Sequence, residues 1–393
     1  MATPFIDVLV PVALDHTYSY RVPRELDLKP GDLVAVPLGA RQVVGVVWKD
    51  NVDIDPRLHN RMKDVELKLE YAPLKPELRK LVDWIADYTL SPRGMVLRMC
   101  LRMGDLGPAR EKVGVRLAGP PPKRMTAARA RVLSVLKDGI TLLKSEVARE
   151  AGVSSGVIDG LIDEGALETL ILPPEPVARP PDPEHEVPDL TDAQARAADV
   201  LRANVLNKAF SVTLVDGVTG SGKTEVYFEA VAAAIREKKQ TLILMPEIAL
   251  TAQFLDRFAR RFGVRPAEWH SEIAPRMRAR TWSAVAAGEV SVVVGARSAL
   301  FLPYSNLGLI IVDEEHDPAY KQEDGVRYHA RDMAVVRARE TGVPIVLASA
   351  TPSVETVVNA KRGRYGHLHL PDRFGGQHLP SVEAIDLRRE GPP

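Results

Sequence analysis

The sequence predicts a multidomain α/β chain in three parts, and three observations predict it. Short apolar runs of period two, broken by Asp, Pro and Gly, fill residues 1–105. A helix-rich stretch bounded by proline-dense segments follows. Beyond residue 190, apolar strands alternate with helical patterns, the mark of a parallel sheet with right-handed crossovers. The expected order is a small β-rich N-terminal module, a winged helix, and one P-loop domain built on a parallel sheet.

The runs PFIDVLVPV, YSYRVP, DLVAVPLG and QVVGVVWK read as the strands of the first module, residues 1–105. An amphipathic helix at about 76–90 (PELRKLVDWIADYTL) closes it. Proline at AGPPPKR marks a break, and residues 106–172 then carry three short helices and a β-like edge, a winged-helix pattern. Ser154 is the expected cap of the third helix. A winged helix binds DNA or serves as a protein-binding spacer, and the sequence leaves both open. Residues 173–189, dense in proline without hydrophobic period, read as a semi-rigid linker. From 190 to 393, strands are expected at 211–216, 241–245, 290–295, 308–313 and 344–348.

Composition bounds the setting. Of 393 residues, 45% are hydrophobic and 26% charged, ordinary for a globular protein. The single cysteine, Cys100, excludes a disulfide framework or a cysteine-rich zinc site within this chain and suggests a reducing compartment. No apolar run approaches the roughly 18 residues of a membrane span. The apolar N-terminus lacks a basic leader region and reads as a strand, so a cytoplasmic protein with no membrane partner is expected. With 52 basic and 52 acidic residues, bulk charge carries no nucleic-acid signal. Local charge does: Arg93, Arg98, Arg102, Arg110, Lys112, Arg116, Lys123, Arg124, Arg129 and Arg131 face only Asp105 and Glu111. That stripe is suited to phosphates, or to solvating an interdomain linker.

The strongest chemistry is GVTGSGKT, set between an apolar strand and a helix. Gly217, Gly220 and Gly222 let the backbone wrap an anion, with Ser221 between them. Lys223 then reaches the β/γ-phosphates and Thr224 offers a hydroxyl to Mg²⁺, while the helix start adds its dipole. LIIVDEEH supplies a second half: a buried strand with Asp313 at its tip as Mg²⁺ holder and Glu314 to orient and deprotonate water. His316 is the residue that would couple this site to a neighbouring one. Gln194, in LTDAQ before the loop, is placed to read an adenine edge. An ordinary N-capped helix start would explain Thr191 and Asp192 without needing the glutamine. ATP and Mg²⁺ are the cofactors these residues imply.

Further loops fall at the carboxyl edge of the sheet: LMPEIALTAQ, GARSALF, DPAYKQEDGVRYHARD and LASATPS. With the motifs above, they closely resemble the PriA family of bacterial replication-restart proteins, superfamily 2 DExH helicases. The resemblance runs along the whole chain. It implies a RecA-like helicase lobe and an ATP-dependent 3′→5′ DNA helicase that starts replication restart at stalled forks. Lys223, Asp313, Glu314 and His316 would be its catalytic set. Forked and single-stranded DNA, single-stranded-DNA-binding protein and other primosome proteins would be its partners. TYSYRVP and GDLVAVPLG resemble the family's 3′-end binding module, which places Tyr18, Ser19, Tyr20 and Gly39 on DNA. Arg297, Tyr320, Lys321, Arg327, Tyr328, His329 and Arg331 would serve single-stranded DNA through stacking and charge. Ser349 and Thr351 resemble a segment that relays nucleotide state to DNA.

Three departures stand out. Ser19 replaces the family's usual aspartate, and Val326 replaces a tryptophan of the aromatic-rich loop. The chain also stops after one lobe at VEAIDLRREGPP. The family's cysteine-rich zinc insertion and second lobe, with its arginines, are expected to be missing, so weak or no unwinding is expected of this chain alone. The rival readings are a non-hydrolysing fork-binding scaffold and a P-loop translocase acting on protein.

Overall fold

A computed structural model describes residues 5–101, 112–137, 139–172, 176–249 and 251–373. The chain divides into two compact units, residues 1–104 with 177–393, and residues 105–176. The terminal VEAIDLRREGPP, and Arg102, Asp105, Arg110 and Glu111 of the basic stripe, lie outside the described residues.

The first unit opens with β1 (Phe5–Leu9), β2 (Tyr18–Arg21), β3 (Leu33–Leu38), β4 (Arg41–Lys49) and β5 (Leu67–Lys68). They form an antiparallel sheet in the order β2-β1-β4-β3-β5. Alternation places Ile6, Val8, Tyr20, Val34, Val36 and Val47 in one core. Helix α1 (Pro76–Thr89) buries Leu78, Leu81, Val82 and Ile85, a single stripe at helical spacing, and packs on the helix Ala330–Thr341 of the later domain. Helix α2 (Arg93–Cys100) follows.

The second unit contains β6 (Lys112–Leu117), α3 (Ala127–Val135), β7 (Leu142–Leu143), α4 (Lys144–Glu150), α5 (Ser155–Asp163) and β8 (Leu167–Leu172). Its sheet runs β7-β6-β8, antiparallel, over a core of Val115, Val132, Val147, Ile158 and Leu161. Strand β6 falls inside the basic stripe, and three of the stripe's arginines are bonded within this unit. Arg116 pairs with Glu168, Arg129 with Glu164 at 2.6 Å, and Arg131 donates to the Ala151 carbonyl at 2.8 Å. Arg93 belongs to the other unit and pairs with Asp15. Ser154 sits at the cap of α5 with extended backbone but no side-chain bond.

The rest of the first unit is α6 (Asp192–Leu206), β9 (Ser211–Gly217), α7 (Lys223–Arg236), β10 (Gln240–Leu244) and α8 (Ala252–Phe262). Then come β11 (Ala267–Trp269), α9 (Pro275–Ala287), β12 (Val292–Gly295), β13 (Leu307–Asp313), β14 (Lys321–Gln322) and β15 (Tyr328–His329). Helix α10 (Ala330–Thr341), β16 (Pro344–Ser349), α11 (Val354–Lys361) and β17 (Gly366–Leu370) complete it. Seven strands form a parallel sheet in the order β11-β12-β10-β13-β16-β9-β17. The five expected strands are present. The short edge strands β11 and β17 were not anticipated, because neither carries the long apolar run of a doubly covered strand.

Part of the expected linker is docked. The Asp182 N–H donates to the Phe262 carbonyl at 3.0 Å, and Glu184 pairs with Arg236 at 2.7 Å. Arg261 donates to the Pro183 carbonyl at 2.8 Å while pairing with buried Glu229 at 2.8 Å. Within this unit the small module and the parallel-sheet domain also share a buried joint. The Trp282 indole donates to the Cys100 carbonyl at 2.7 Å, and Tyr71 meets the Trp282 ring edge-on at 5.8 Å.

Candidate active site

The register of the sheet lines up the loops that matter. Asp216 at the end of β9 pairs with Ser349 of β16, and Ala348 pairs with Asp313 of β13. The phosphate loop, the SATPS loop and the DEEH loop therefore leave one sheet edge side by side, where α/β folds bind ligands.

In the phosphate loop, Gly222 caps α7 at φ +84°, a left-handed conformation that a side chain would strain. Gly217 stands where an added Cβ would lie 2.7 Å from both the Leu370 carbonyl oxygen and Ser221 Oγ. Lys223 is buried and donates from Nζ to the Gly217 carbonyl at 2.8 Å. Burial pulls its pKa down, against the upward pull of Glu314, Asp313 and Asp216. Ser221 Oγ is buried without a partner. An orphaned hydroxyl, left-handed Gly220 and Gly222, and an inturned ammonium fit the phosphates of a nucleotide. Thr224, half-buried one residue on, opens the same helix.

Gln194 has a role that its sequence context did not reveal. Its Oε1 accepts the Thr191 N–H at 2.9 Å, closing a capping box, and its Nε2 donates to the Ser221 carbonyl at 2.9 Å. The helix start does need the glutamine, as a tie between α6 and the phosphate loop. Gln194 also lines a cavity of about 590 Å³ with Leu190, Gly220, Gly222 and Arg257.

Asp313 is almost fully buried at the tip of β13. Its Oδ2 accepts the Tyr227 hydroxyl at 2.8 Å and its Oδ1 accepts the Glu314 N–H at 3.0 Å. Burial raises its pKa to about 6; the Tyr227 bond opposes that rise and the Glu314 charge adds to it. Tyr227 lies three residues beyond Thr224 on α7 and was not singled out in the sequence. Glu314 adopts φ +47°, turning its carboxylate outward to 40% exposure, with Oε2 3.6 Å from His316 Nδ1. The same His316 nitrogen lies 2.7 Å from Ser349 Oγ, so the DEEH and SATPS loops touch through one hydrogen bond.

The third carboxylate, Glu315, is the centre of a buried knot that the sequence reading missed. Its Oε2 lies 3.1 Å from Arg331 Nη1 and accepts the hydroxyls of Ser353 and Thr356, each at 3.0 Å. Its Oε1 accepts the Ser353 N–H at 2.7 Å. Arg331 is therefore buried and spoken for, which corrects its assignment to DNA. Tyr320 is corrected likewise: it is buried, with its hydroxyl 2.6 Å from the Asp313 carbonyl and 2.9 Å from that of Leu244. Tyr328 is buried with its ring edge-on to Phe301 at 5.4 Å, so it offers no open stacking face. His329 is half-buried and caps α10, and burial lowers its pKa. Val326 is buried too. Lys321 and Arg327 remain exposed at the loop, and Arg297 fastens it by donating to the Lys321 carbonyl at 2.8 Å.

In the small module, Tyr20 is buried, with its hydroxyl on the Pro37 carbonyl at 3.1 Å, so its ring is core and not a base platform. Tyr18 is half-buried beside His16, with ring centres 4.8 Å apart. Gly39 sits exposed in the β3–β4 turn at φ +63°. Ser19 donates to Asp7 Oδ1 at 2.7 Å across the β1–β2 pair. A carboxylate thus reaches the Ser19 position from the adjacent strand.

Comparison with known proteins adds to this geometry. Residues 7–102 match the family model of the PriA 3′ DNA-binding domain, and residues 191–360 match that of the DEAD/DEAH box helicases. The replication restart protein PriA of Rickettsia conorii is 33% identical over 384 residues, 98% of this chain and 48% of that protein. Those of Haemophilus influenzae and Bacillus subtilis are 33% and 31% identical, again over 98% of this chain, covering 54% and 58% of the relatives. The chain thus spans about half the length of the curated relatives it matches. Among solved structures, the Pyrococcus furiosus Hef helicase domain is 19% identical at TM-score 0.33, covering 44% of this chain and 37% of that one. Among the described residues, no helix is long and apolar enough to cross a membrane.

Proposed function

We propose, for a chain that belongs to the PriA replication-restart family, that it forms the fork-binding and nucleotide-binding half of an ATP-dependent 3′→5′ DNA helicase. One observation carries the reading most directly: the register that sets the phosphate loop, Ser349 and Asp313 side by side. ATP with Mg²⁺ supplies the phosphoanhydride to be cleaved. Lys223 leaves the Gly217 carbonyl for the phosphates, and the N–H groups around Gly220 and Gly222 hold them. Thr224 and Asp313 hold the metal ion. Glu314, turned outward by its left-handed backbone, orients water and takes its proton. His316 and Ser349 join this site to the strand tip beside it, and Arg297 ties the neighbouring strand end to the exposed Lys321–Arg327 loop. That loop, with Tyr18, Ser19 and Gly39 in the small module, meets forked DNA. Single-stranded-DNA-binding protein and other primosome proteins are the proposed partners, in the cytoplasm.

Substituting Lys223→Ala should abolish binding of a fluorescent adenine nucleotide while leaving fork binding within about twofold, measured by anisotropy in one fixed salt. Equal loss of both would show that the two surfaces are not separate as proposed.

A further inference from the structure

One side-chain cluster lies outside this machinery. Edge strand β17 carries His367 and His369, two residues apart and so on one face of the strand. His369 is the register partner of Asp216 on β9. Asp216 Oδ2 lies 3.3 Å from His367 Nε2 and 3.3 Å from His369 Nδ1, and the three ligand atoms fall within 4.8 Å of one another. Both imidazoles are about half exposed, and the carboxylate is one-quarter exposed.

We propose that Asp216, His367 and His369 form a binding site for a divalent transition metal of the zinc class. Ligands about 2.1 Å from one ion in tetrahedral geometry stand about 3.4 Å apart, close to both observed nitrogen–oxygen separations. Only the separation between the two imidazoles needs to close. Two imidazoles and one carboxylate suit Zn²⁺, Ni²⁺ or Co²⁺ and are a poor set for Mg²⁺, which takes oxygen ligands, so this site does not compete for the ion at Asp313. Exposure leaves a fourth position to water. The location gives the ion something to act on. Asp216 immediately precedes Gly217, and the Leu370 carbonyl of β17 abuts that same glycine. An ion here fastens the outermost strand to the foot of the phosphate loop. The alternative is a pair of His–Asp contacts with no metal.

The test is calorimetric titration of the intact chain with Zn²⁺ at pH 7.5, repeated with Co²⁺ to read its visible absorption. The expected result is one saturable equivalent whose affinity falls at least roughly tenfold in His367→Ala, in His369→Ala and in Asp216→Asn. Metal should also raise the unfolding temperature of the parent chain, and EDTA should reverse it. Because both histidines are surface groups, the variants should match the parent's unfolding temperature in EDTA, which separates lost binding from lost folding. Absence of a saturable equivalent, or one unchanged in the His367→Ala/His369→Ala double variant, overturns the proposal in favour of the metal-free contacts. Nucleotide binding is not needed for any of these readouts.

Discussion

Asp313 shows how a single side chain is held in tension. Burial lifts its pKa from 3.8 to about 6, although the Tyr227 hydroxyl favours the ionised form. A folded pKa above the unfolded one means that the folded chain holds the extra proton between those values. Stability from this group is therefore full at low pH and is lost as pH rises from about 4 through about 6. Asp313→Asn should accordingly be more stable than the parent at pH 7.5 without Mg²⁺, by about 2–3 kcal/mol, with the gap closing near pH 4. Urea midpoints at the two pH values, in EDTA, check this; a pH-independent gap would refute it. At this scale the sequence was legible where chemistry is local. The glycines, Lys223 and Asp313 announced themselves by spacing alone. Tyr227 and Glu315 did not, because their partners lie across the fold, at Asp313 and Arg331.

Elements met at a distance explain the misread cations and aromatics. Tyr320, Tyr328 and Arg331 sit in a polar-looking segment after β13, which in one dimension reads as an exposed DNA loop. In three dimensions, α10 carries Arg331 inward to Glu315, which the turn at Glu314 has aimed back into the lobe. Removing one partner of a buried ion pair leaves an uncompensated charge. Arg331→Met should therefore lower stability by about 3–5 kcal/mol, while Glu315→Gln/Arg331→Met recovers part of that loss. A DNA-contacting arginine would behave otherwise: its loss would flatten the salt dependence of fork binding by about one unit of slope. The expected slope is unchanged, measured under conditions where the variant is folded. The strands β9, β10, β12, β13 and β16 were legible because each is built around a short, mostly apolar run. Strand β17, GHLHL, was not, since its pattern carries exposed histidines and only one covered end residue.

Over the whole molecule, the linear division into modules and the physical one differ. Sequence punctuation separates residues 1–105 from the parallel-sheet domain, but the two share Trp282, Tyr71 and the α1–α10 packing. Arg337 of α10 lies beneath this joint, donating to the Leu302 carbonyl at 2.8 Å and lying 5.0 Å from the centre of the Tyr304 ring. Burial lowers its pKa to about 10, so it remains a cation at neutral pH. Unpunctuated contacts of this kind cannot be read from a chain, because they join segments 182 or more positions apart. Native-state hydrogen exchange should find the most protected amides of β1 and β4 opening together with those of β10 and β13. Trp282→Phe, which deletes one buried hydrogen bond, should lower both by about 1–2 kcal/mol. Opening of β1 and β4 alone, with the other strands untouched, would restore the two-module picture.

Lys223, turned back onto the Gly217 carbonyl, makes the loop a lock that holds its own key. An arriving nucleotide does not find a vacant cation waiting; it must outcompete an acceptor that never diffuses away. Its measured affinity is then an exchange between two saturated arrangements. Discrimination then falls to ligands offering this ammonium more than the Gly217 and Val218 carbonyl oxygens do. Phosphate-bearing ligands clear that threshold. Neutral metabolites, however well their rings fit the neighbouring cavity, do not.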